Sequence, residues 1–438
     1  MSSTLQAQDT TAVTGGEVWT LAQCIERAKQ ENLTLRRGRI SVQQAEENVK
    51  NARDNRLPTV SFSSSQNVNN RPFQKSAYTV NGSQIMTSNS KTSYSGSYGL
   101  SASMPLYDGG QTKGNIRLQE LNTQIAMLAV ESSELNIEEE ITRIYVQILY
   151  AQEAIKQDEE QITLAQQQVT RATALFKAGL LNKADVSQME SQLANDRYQL
   201  VADKVSRDDY KLQLKQLLEL DGDYALEIAD PALTSDVLAL LPAKADVYAA
   251  AVANRPEIRS KQIAMDRSDV DIQLAKAGKL PTVNAQAGIN TGNSTGNGNM
   301  FSQLKDQWSN GIGVSVSVPI YDHNRTKHAI AQAQLDKESA YLDLLDTQKS
   351  LWKTIEGYWQ QAYSAQQRYL AAQEKVKAAR TSYELTSEQF RLGLKNIIEL
   401  NTDKTQLSAS IQQMLQAKYM AILNAALLRY YGGEGIKF

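Results

Sequence analysis

Two stretches decide how this chain is read: "FKAGLLNKADV" at residues 176–186 and "FRLGLKNIIEL" at residues 390–400. Each carries a Phe, a Gly three residues on, a Leu directly after the Gly, an Asn three residues past it and an acid six residues past it. Gly is the residue that ends a helix in the left-handed conformation, and Asn is a favoured start for the next one. Each stretch therefore reads as a tight turn between two helices. The flanks are long: the eight prolines fall at 58, 72, 105, 231, 242, 256, 281 and 319, so residues 106–230 and 320–438 contain no helix breaker of that kind.

The turns belong to a duplication. "PLYDGG" at Pro105 returns as "PIYDHN" at Pro319, and the spacing, 214 residues, is also the spacing between Phe176 and Phe390. "LPTV" occurs at Leu57–Val60 and again at Leu280–Val283. Both halves read in one order: helix, strand, loop, strand, very long helix, turn, returning helix. The expected organisation is a polar N-terminal segment (1–17), a first repeat (18–225), a connector (226–243) and a second repeat (244–435). In the first repeat the strands are placed at 58–68 and 93–107, after a single helix near 19–56. The long helix is placed at 110–178 and the returning helix at 183–220. In the second repeat the strands are placed at 281–290 and 311–321, and the helices at 324–392 and 397–430.

The strands alternate cleanly. In "SYSGSYGLSASMPLY" the even positions carry Tyr94, Gly96, Tyr98, Leu100, Ala102, Met104 and Leu106, and the odd positions through Ser103 carry only Ser and Gly. "GIGVSVSVPI" sets Ile312, Val314, Val316, Val318 and Ile320 against Gly311, Gly313, Ser315 and Ser317. Period-two alternation over about ten residues fits a strand crossing a bilayer at barrel tilt. A soluble sheet with one wet face is the competing reading. Four strands cannot close a barrel, so the membrane reading requires several subunits. From Asn115 to Phe176 a continuous helix would run roughly 90 Å. Ile137, Ile141, Ile144, Ile148, Ala151 and Ile155 give it a heptad-like seam.

Composition excludes several classes. Net charge is −2, which argues against nucleic acid as partner, and aromatic content is only 7%. The lone cysteine, Cys24, permits no intrachain disulfide and falls in an amphipathic helix pattern. No stretch approaches a membrane-spanning helix. The two histidines, His323 and His328, stand five apart and off one helical face, so no metal is expected there. No nucleophile–base set, phosphate-cradling loop or metal-ligand cluster is found; no enzyme activity and no cofactor are expected.

Duplicated halves, each with two amphipathic strands and a helical hairpin closed by a G-L-x-x-x-x-acid turn, resemble the TolC family of outer-membrane factors. The resemblance runs from about Val18 to Tyr431. It implies a mixed α+β membrane protein: a homotrimer whose three protomers give four strands each to one β-barrel, continued by a long α-helical periplasmic barrel. It implies an outer membrane of a Gram-negative bacterium, outer-membrane lipid around the barrel, a periplasmic adaptor, and an inner-membrane efflux pump or ABC transporter. The implied function is a passive exit duct for small toxic compounds. Polypeptide secretion on the same fold and a soluble coiled-coil scaffold are the alternatives. The adaptor would meet the hairpin tips at Gly179, Leu180, Leu181 and Asn182, and at Gly393, Leu394, Lys395 and Asn396. Matched by distance from the Gly, Asp185 and Glu399 fall on the family's acidic constriction and Lys395 on a basic position that holds it shut. The second inner acid falls on Thr402, a departure for which Asp403 is the candidate substitute. A bland alternative has Asp185 and Glu399 merely favouring the helix dipole.

Overall fold

The computed structural model describes residues 18–73, 77–81, 84–88, 91–230, 237–295 and 299–436. The polar segment 1–17 and part of the connector, 231–236, lie outside them, as do parts of both inter-strand loops. In chain order the described elements are β1 (Val18–Trp19), α1 (Leu21–Glu31), α2 (Leu33–Asp54), β2 (Thr59–Asn70), β3 (Ala77–Asn81), β4 (Gln84–Ser88) and β5 (Thr92–Tyr107). Then come α3 (Gln111–Lys177), α4 (Lys183–Leu217), β6 (Glu227–Ile228), α5 (Lys244–Asn254) and α6 (Pro256–Ala277). The rest are β7 (Thr282–Ser294), α7 (Met300–Asp306), β8 (Ser309–Ser317), α8 (Arg325–Arg391) and α9 (Ile397–Tyr431). The chain divides into two compact units, residues 41–126 with 261–342, and residues 1–40 with 127–260 and 343–438.

The first of these units holds an antiparallel sheet in the order β2-β5-β7-β8. Its register aligns the two kinds of side chain into two faces. Phe62 stands opposite Leu100, Leu100 opposite Ile289, and Ala287 opposite Ile312. On the other face Ser61 meets Ser101, Ser101 meets Gly288, and Gly288 meets Gly311. A register slip between Pro105 and Tyr107 places Tyr107 opposite Val283, on the apolar side. Along β7 that side runs from Val283 to Ile289, roughly 20 Å at strand rise. Among the described residues nothing in the unit covers it: Phe62 is 69% exposed, Ile312 90% and Val316 63%. The sheet therefore presents a broad apolar face, unfavourable to expose to water, and an opposite face lined with Ser and Gly.

Both copies of the "YD" motif perform the same local work at the strand-to-helix junction. Asp108 accepts from Gly110 N–H (3.0 Å), from Thr112 N–H (2.6 Å) and from the Thr112 hydroxyl, capping α3. Asp322 accepts from Thr326 N–H (2.9 Å) and its hydroxyl, capping α8. Gly109 and Gly110 turn the chain with φ of 69° and 88°, and the second repeat makes the same turn with His323 (56°) and Asn324 (61°).

Several element bounds differ from the sequence expectation, each for a local reason. β8 stops at Ser317 instead of 321, because Pro319 has no N–H for the ladder. The helix expected over 19–56 breaks at Asn32, whose Oδ1 accepts from Thr34 N–H (2.9 Å) and whose Nδ2 reaches Leu217 C=O (3.0 Å). Its counterpart in the second repeat breaks at Arg255, before Pro256 starts α6. α4 ends at Leu217 rather than 220, where Glu219 turns left-handed at φ 52°. The inter-strand stretches, read as loops, contain the β3–β4 pairing and the short helix α7.

In the other unit the isoleucine seam of α3 is buried: Ile141 and Ile148 are fully covered and Ile137, Ile144 and Ile155 nearly so. Ile137, Ile141, Ile144 and Ile148 pack with Cys24 and Leu35 from α1 and α2, Leu214 from α4, and Leu423 and Leu427 from α9. Burial pushes the Cys24 thiol up to about 12. The described helices include none long and apolar enough to cross a membrane.

Candidate functional site: the paired helical tips

The two turns close the hairpins α3–α4 and α8–α9 with one geometry. Gly179 and Gly393 have φ of 72° and 74°, and a Cβ at either would meet nothing within 4 Å. Conformation alone selects glycine here. Leu180 N–H donates to Leu175 C=O (2.9 Å) and Gly179 N–H to Phe176 C=O (2.9 Å). Leu394 N–H donates to Gln389 C=O (2.9 Å) and Gly393 N–H to Phe390 C=O (3.0 Å). This is the paired 6→1 and 5→2 bonding of a Schellman motif. The residue after the Gly commonly packs back on the preceding turn in that motif. Here Leu180 and Leu394 instead remain 74% and 73% exposed. Each tip thus holds out the leucine that follows its Gly. Phe176, Leu392 and Ile398 add exposed apolar surface beside them, while Leu181 turns inward against Val186 and Met189.

The returning helices are capped alike. Asn182 Oδ1 accepts from Asp185 N–H at 2.8 Å, and Asn396 Oδ1 from Glu399 N–H at 3.0 Å. Glu399 reaches back to Asn396 N–H at 3.2 Å, completing a capping box. Its other oxygen lies 3.5 Å from Lys395 Nζ, one helical turn away. Capping and dipole accommodation therefore explain the acids locally, and the side chains of Lys395 and Glu399 stay partly open to solvent. Asp403 has Oδ2 bonded by Ser382 Oγ (2.9 Å) and Thr386 Oγ1 (2.7 Å) of α8. The Thr386 bond foremost, then Ser382 and the charge of Lys395, hold its carboxyl below the usual carboxylate range.

Behind the tips lies an apolar plug of Ala165, Val169, Ala172, Val186, Met189, Leu193, Ile397 and Leu400. Beyond it, polar contacts join the four helices in a closed circuit. Arg197 to Gln166 (2.8 Å) links α4 to α3, and Gln168 to Tyr383 (2.7 Å) links α3 to α8. Asp403 links α9 to α8, and Lys404 bonds Asp196 to link α9 to α4. An open groove of about 680 Å³ runs between α3 and α4 nearby, lined by Ile162, Gln166, Thr170, Arg171, Ala174 and Arg197. Sequence reading located the two turns and, of the circuit, named Asp403 alone; the other members are polar side chains with distant partners. Among the described residues no group of His, Cys, Asp and Glu could hold a metal ion.

This architecture, a four-stranded sheet with an open apolar face and two long helical hairpins with matched tips, is the fold of outer-membrane channels. The sequence pattern of the outer membrane efflux protein family matches residues 24–219 and again 247–433, and the chain belongs to that family. It is 22% identical to outer membrane efflux protein BepC of Brucella suis over 419 residues, 94% of this chain and 85% of BepC. It is 21% identical to outer membrane protein TolC of Salmonella enteritidis over 94% of this chain and 81% of that protein. Alkaline protease secretion protein AprF of Pseudomonas aeruginosa is 25% identical over 70% of this chain and 64% of its own length. Among solved structures, CusC superposes with a TM-score of 0.79 at 16% identity, covering 97% of this chain and 96% of CusC. The outer membrane protein VceC of Vibrio cholerae gives 0.76 at 17% identity, covering 95% and 97%. The protein is an outer-membrane protein, and its relatives are channel proteins.

Proposed function

We propose that this chain is the outer-membrane exit duct of a tripartite efflux system. Three copies form a passive channel that expels small toxic molecules delivered by an inner-membrane transporter, with a periplasmic adaptor between. The observation that carries this reading is the pair of matched tips, each exposing the leucine that follows the Gly of its Schellman turn, Leu180 and Leu394. A plain connection between two helices has no need of an apolar side chain left in water; an adaptor helix packing on the tips does. The adaptor contacts are Gly179, Leu180 and Asn182, with Gly393, Leu394, Lys395 and Asn396; Leu181, expected among them, packs inward and supports the first tip from behind. Asp185 and Glu399, with Lys395 and the partly engaged Asp403, form the constriction. Rings of carboxylates there attract cations and resist anions. The sheet supports the trimer: β2 and β8 are edge strands, so a closed barrel needs further copies of the chain.

The test is drug accumulation in cells deleted for their own duct and given this one with its pump and adaptor. Restored efflux, lost on Leu180→Asp with Leu394→Asp, is the expected outcome; unrestored efflux with a membrane-inserted protein contradicts it. Similarity to a protein named for alkaline protease secretion favours polypeptide cargo as a second reading. Secretion of a polypeptide without any effect on drug accumulation would select it.

A further inference from the structure

Lys404 is 3% exposed, yet it stands on an apolar seam. Along α9 one buried seam runs Leu400, Lys404, Leu407 and Ile411, in steps of 4, 3 and 4. Leu400 belongs to the apolar plug behind the tips, and Leu407 and Ile411 to the next apolar cluster with Val376 and Ala379. A cation thus occupies the place where the heptad calls for a leucine. Its partner interrupts a second seam: on α4, Val186, Met189 and Leu193 are buried, and Asp196 is the next step of three. Lys404 Nζ bonds Asp196 Oδ2, and Gln192 Nε2 holds Asp196 Oδ1 at 2.9 Å.

Stability does not account for this pair. Replacing a buried ion pair with apolar side chains of similar volume is often neutral or stabilising, and the best-attested use of such a pair is to set register or act as a switch. Duplication does not account for it either. At the repeat spacing Lys404 corresponds to Glu190, and Asp196 to Ser410, so the other half of the chain has no copy. The bond crosses from the first hairpin (α4) to the second (α9), and the neighbouring residue, Asp403, ties α9 to α8. Consecutive residues on one helix therefore fix it to both neighbours just behind the tips.

We propose that Lys404–Asp196 is a latch between the two hairpins of one subunit, a positioning pair that holds the tip in its narrow state. This rests on reading the tips as the constriction of the duct. Opening that separates the second hairpin from the first must part a nearly buried charge pair. Leaving either partner alone would strand a charge among leucines, so a displaced intermediate is disfavoured and the latch has two states, made or fully parted.

The test is single-channel recording on the full-length, detergent-purified protein in planar bilayers. Five forms are compared: wild type, Lys404→Met, Asp196→Leu, both together, and the swap Asp196→Lys with Lys404→Asp. The single and double apolar variants are expected to raise open probability by about tenfold or more. The swap is expected to return it close to the wild-type value, and the doubly apolar form to melt no lower than wild type. A structural role without a latch would move thermal stability and leave opening alone. If the doubly apolar form melts like wild type and opens like wild type, the latch is overturned and the duct stands. If the wild type itself forms no channels, the duct reading falls and the latch with it.

Discussion

Asp158 gives the sharpest pH prediction. It lies on α3 with its Oδ2 buried and lacking a hydrogen-bond donor, facing the carboxyl of Asp203 on α4. Two acceptors can face each other only if one carries a proton. Burial first, then the Asp203 hydrogen bond and charge, then the charge of Asp196, raise the Asp158 carboxyl from 3.8 to about 7. The remaining charged and titratable neighbours are Lys404 on Asp196, Lys204 paired with Glu159 at 2.9 Å, and Tyr150. The folded-state value is raised, so between pH 4 and 7 the folded chain holds a proton that the unfolded chain has released. Stability from this group is intact below pH 4, falls as pH rises, and is lost above 7. The full displacement corresponds to roughly 4 kcal/mol, and because the side chain is only half-buried the working value is roughly 1–2 kcal/mol. Asp158→Asn supplies a permanent N–H donor to Asp203. Hydrogen exchange of peptides from 150–165 and 196–210, corrected for intrinsic rates, is the assay. At pH 8 the variant should exchange about tenfold more slowly than wild type, and at pH 4 the two should coincide. A variant that is less protected than wild type at pH 8, or a difference that does not change with pH, would refute the reasoning.

Other consequences are open to direct measurement. His323→Gly relieves a left-handed φ of 56° and should stabilise the protein by about 1 kcal/mol in thermal unfolding, whereas Asn324→Gly, at 61°, should gain less because Asn tolerates that region. Gly393→Ala meets no steric contact but must adopt φ 74°, so it should cost about 1–2 kcal/mol, read as faster exchange at the second tip. Ala287→Lys, on the apolar face of the sheet, should cost about 2–4 kcal/mol of membrane-inserted stability, whereas Ser101→Lys on the opposite face should cost far less. Asp108→Ala removes a cap with three donors and should cost about 1–2 kcal/mol, seen as fraying of the first turn of α3 in hydrogen exchange.

What the sequence disclosed was whatever repeats or alternates locally. Equal spacing between "YD" and the Gly turn exposed the duplication, and Ser/Gly alternation exposed the strands. The tips were legible because Gly, Asn and an acid at fixed offsets encode a Schellman end followed by an N-cap. The break at Asn32 was hidden because its cause is a distant one, a hydrogen bond from its amide to Leu217 C=O. The β1–β6 pairing joins two residues each from points about two hundred positions apart, too short to leave a pattern. Lys404 did carry a signal, since it interrupts the apolar steps from Leu400 to Ile411. Its meaning depended on Asp196, 208 positions away, and no local rule connects them.

Ion selectivity is the property that a trimeric duct narrowed by carboxylates at its tips should show. Reversal potentials of single channels in planar bilayers would be compared for wild type, Glu399→Ala and Asp185→Ala across a salt gradient. Wild-type channels should be small and cation-preferring, with a preference that weakens as salt rises. Glu399→Ala, which also frees Lys395, should raise conductance and shift preference toward anions. Channels of unchanged conductance and selectivity in both variants would contradict the placement of the constriction at these tips.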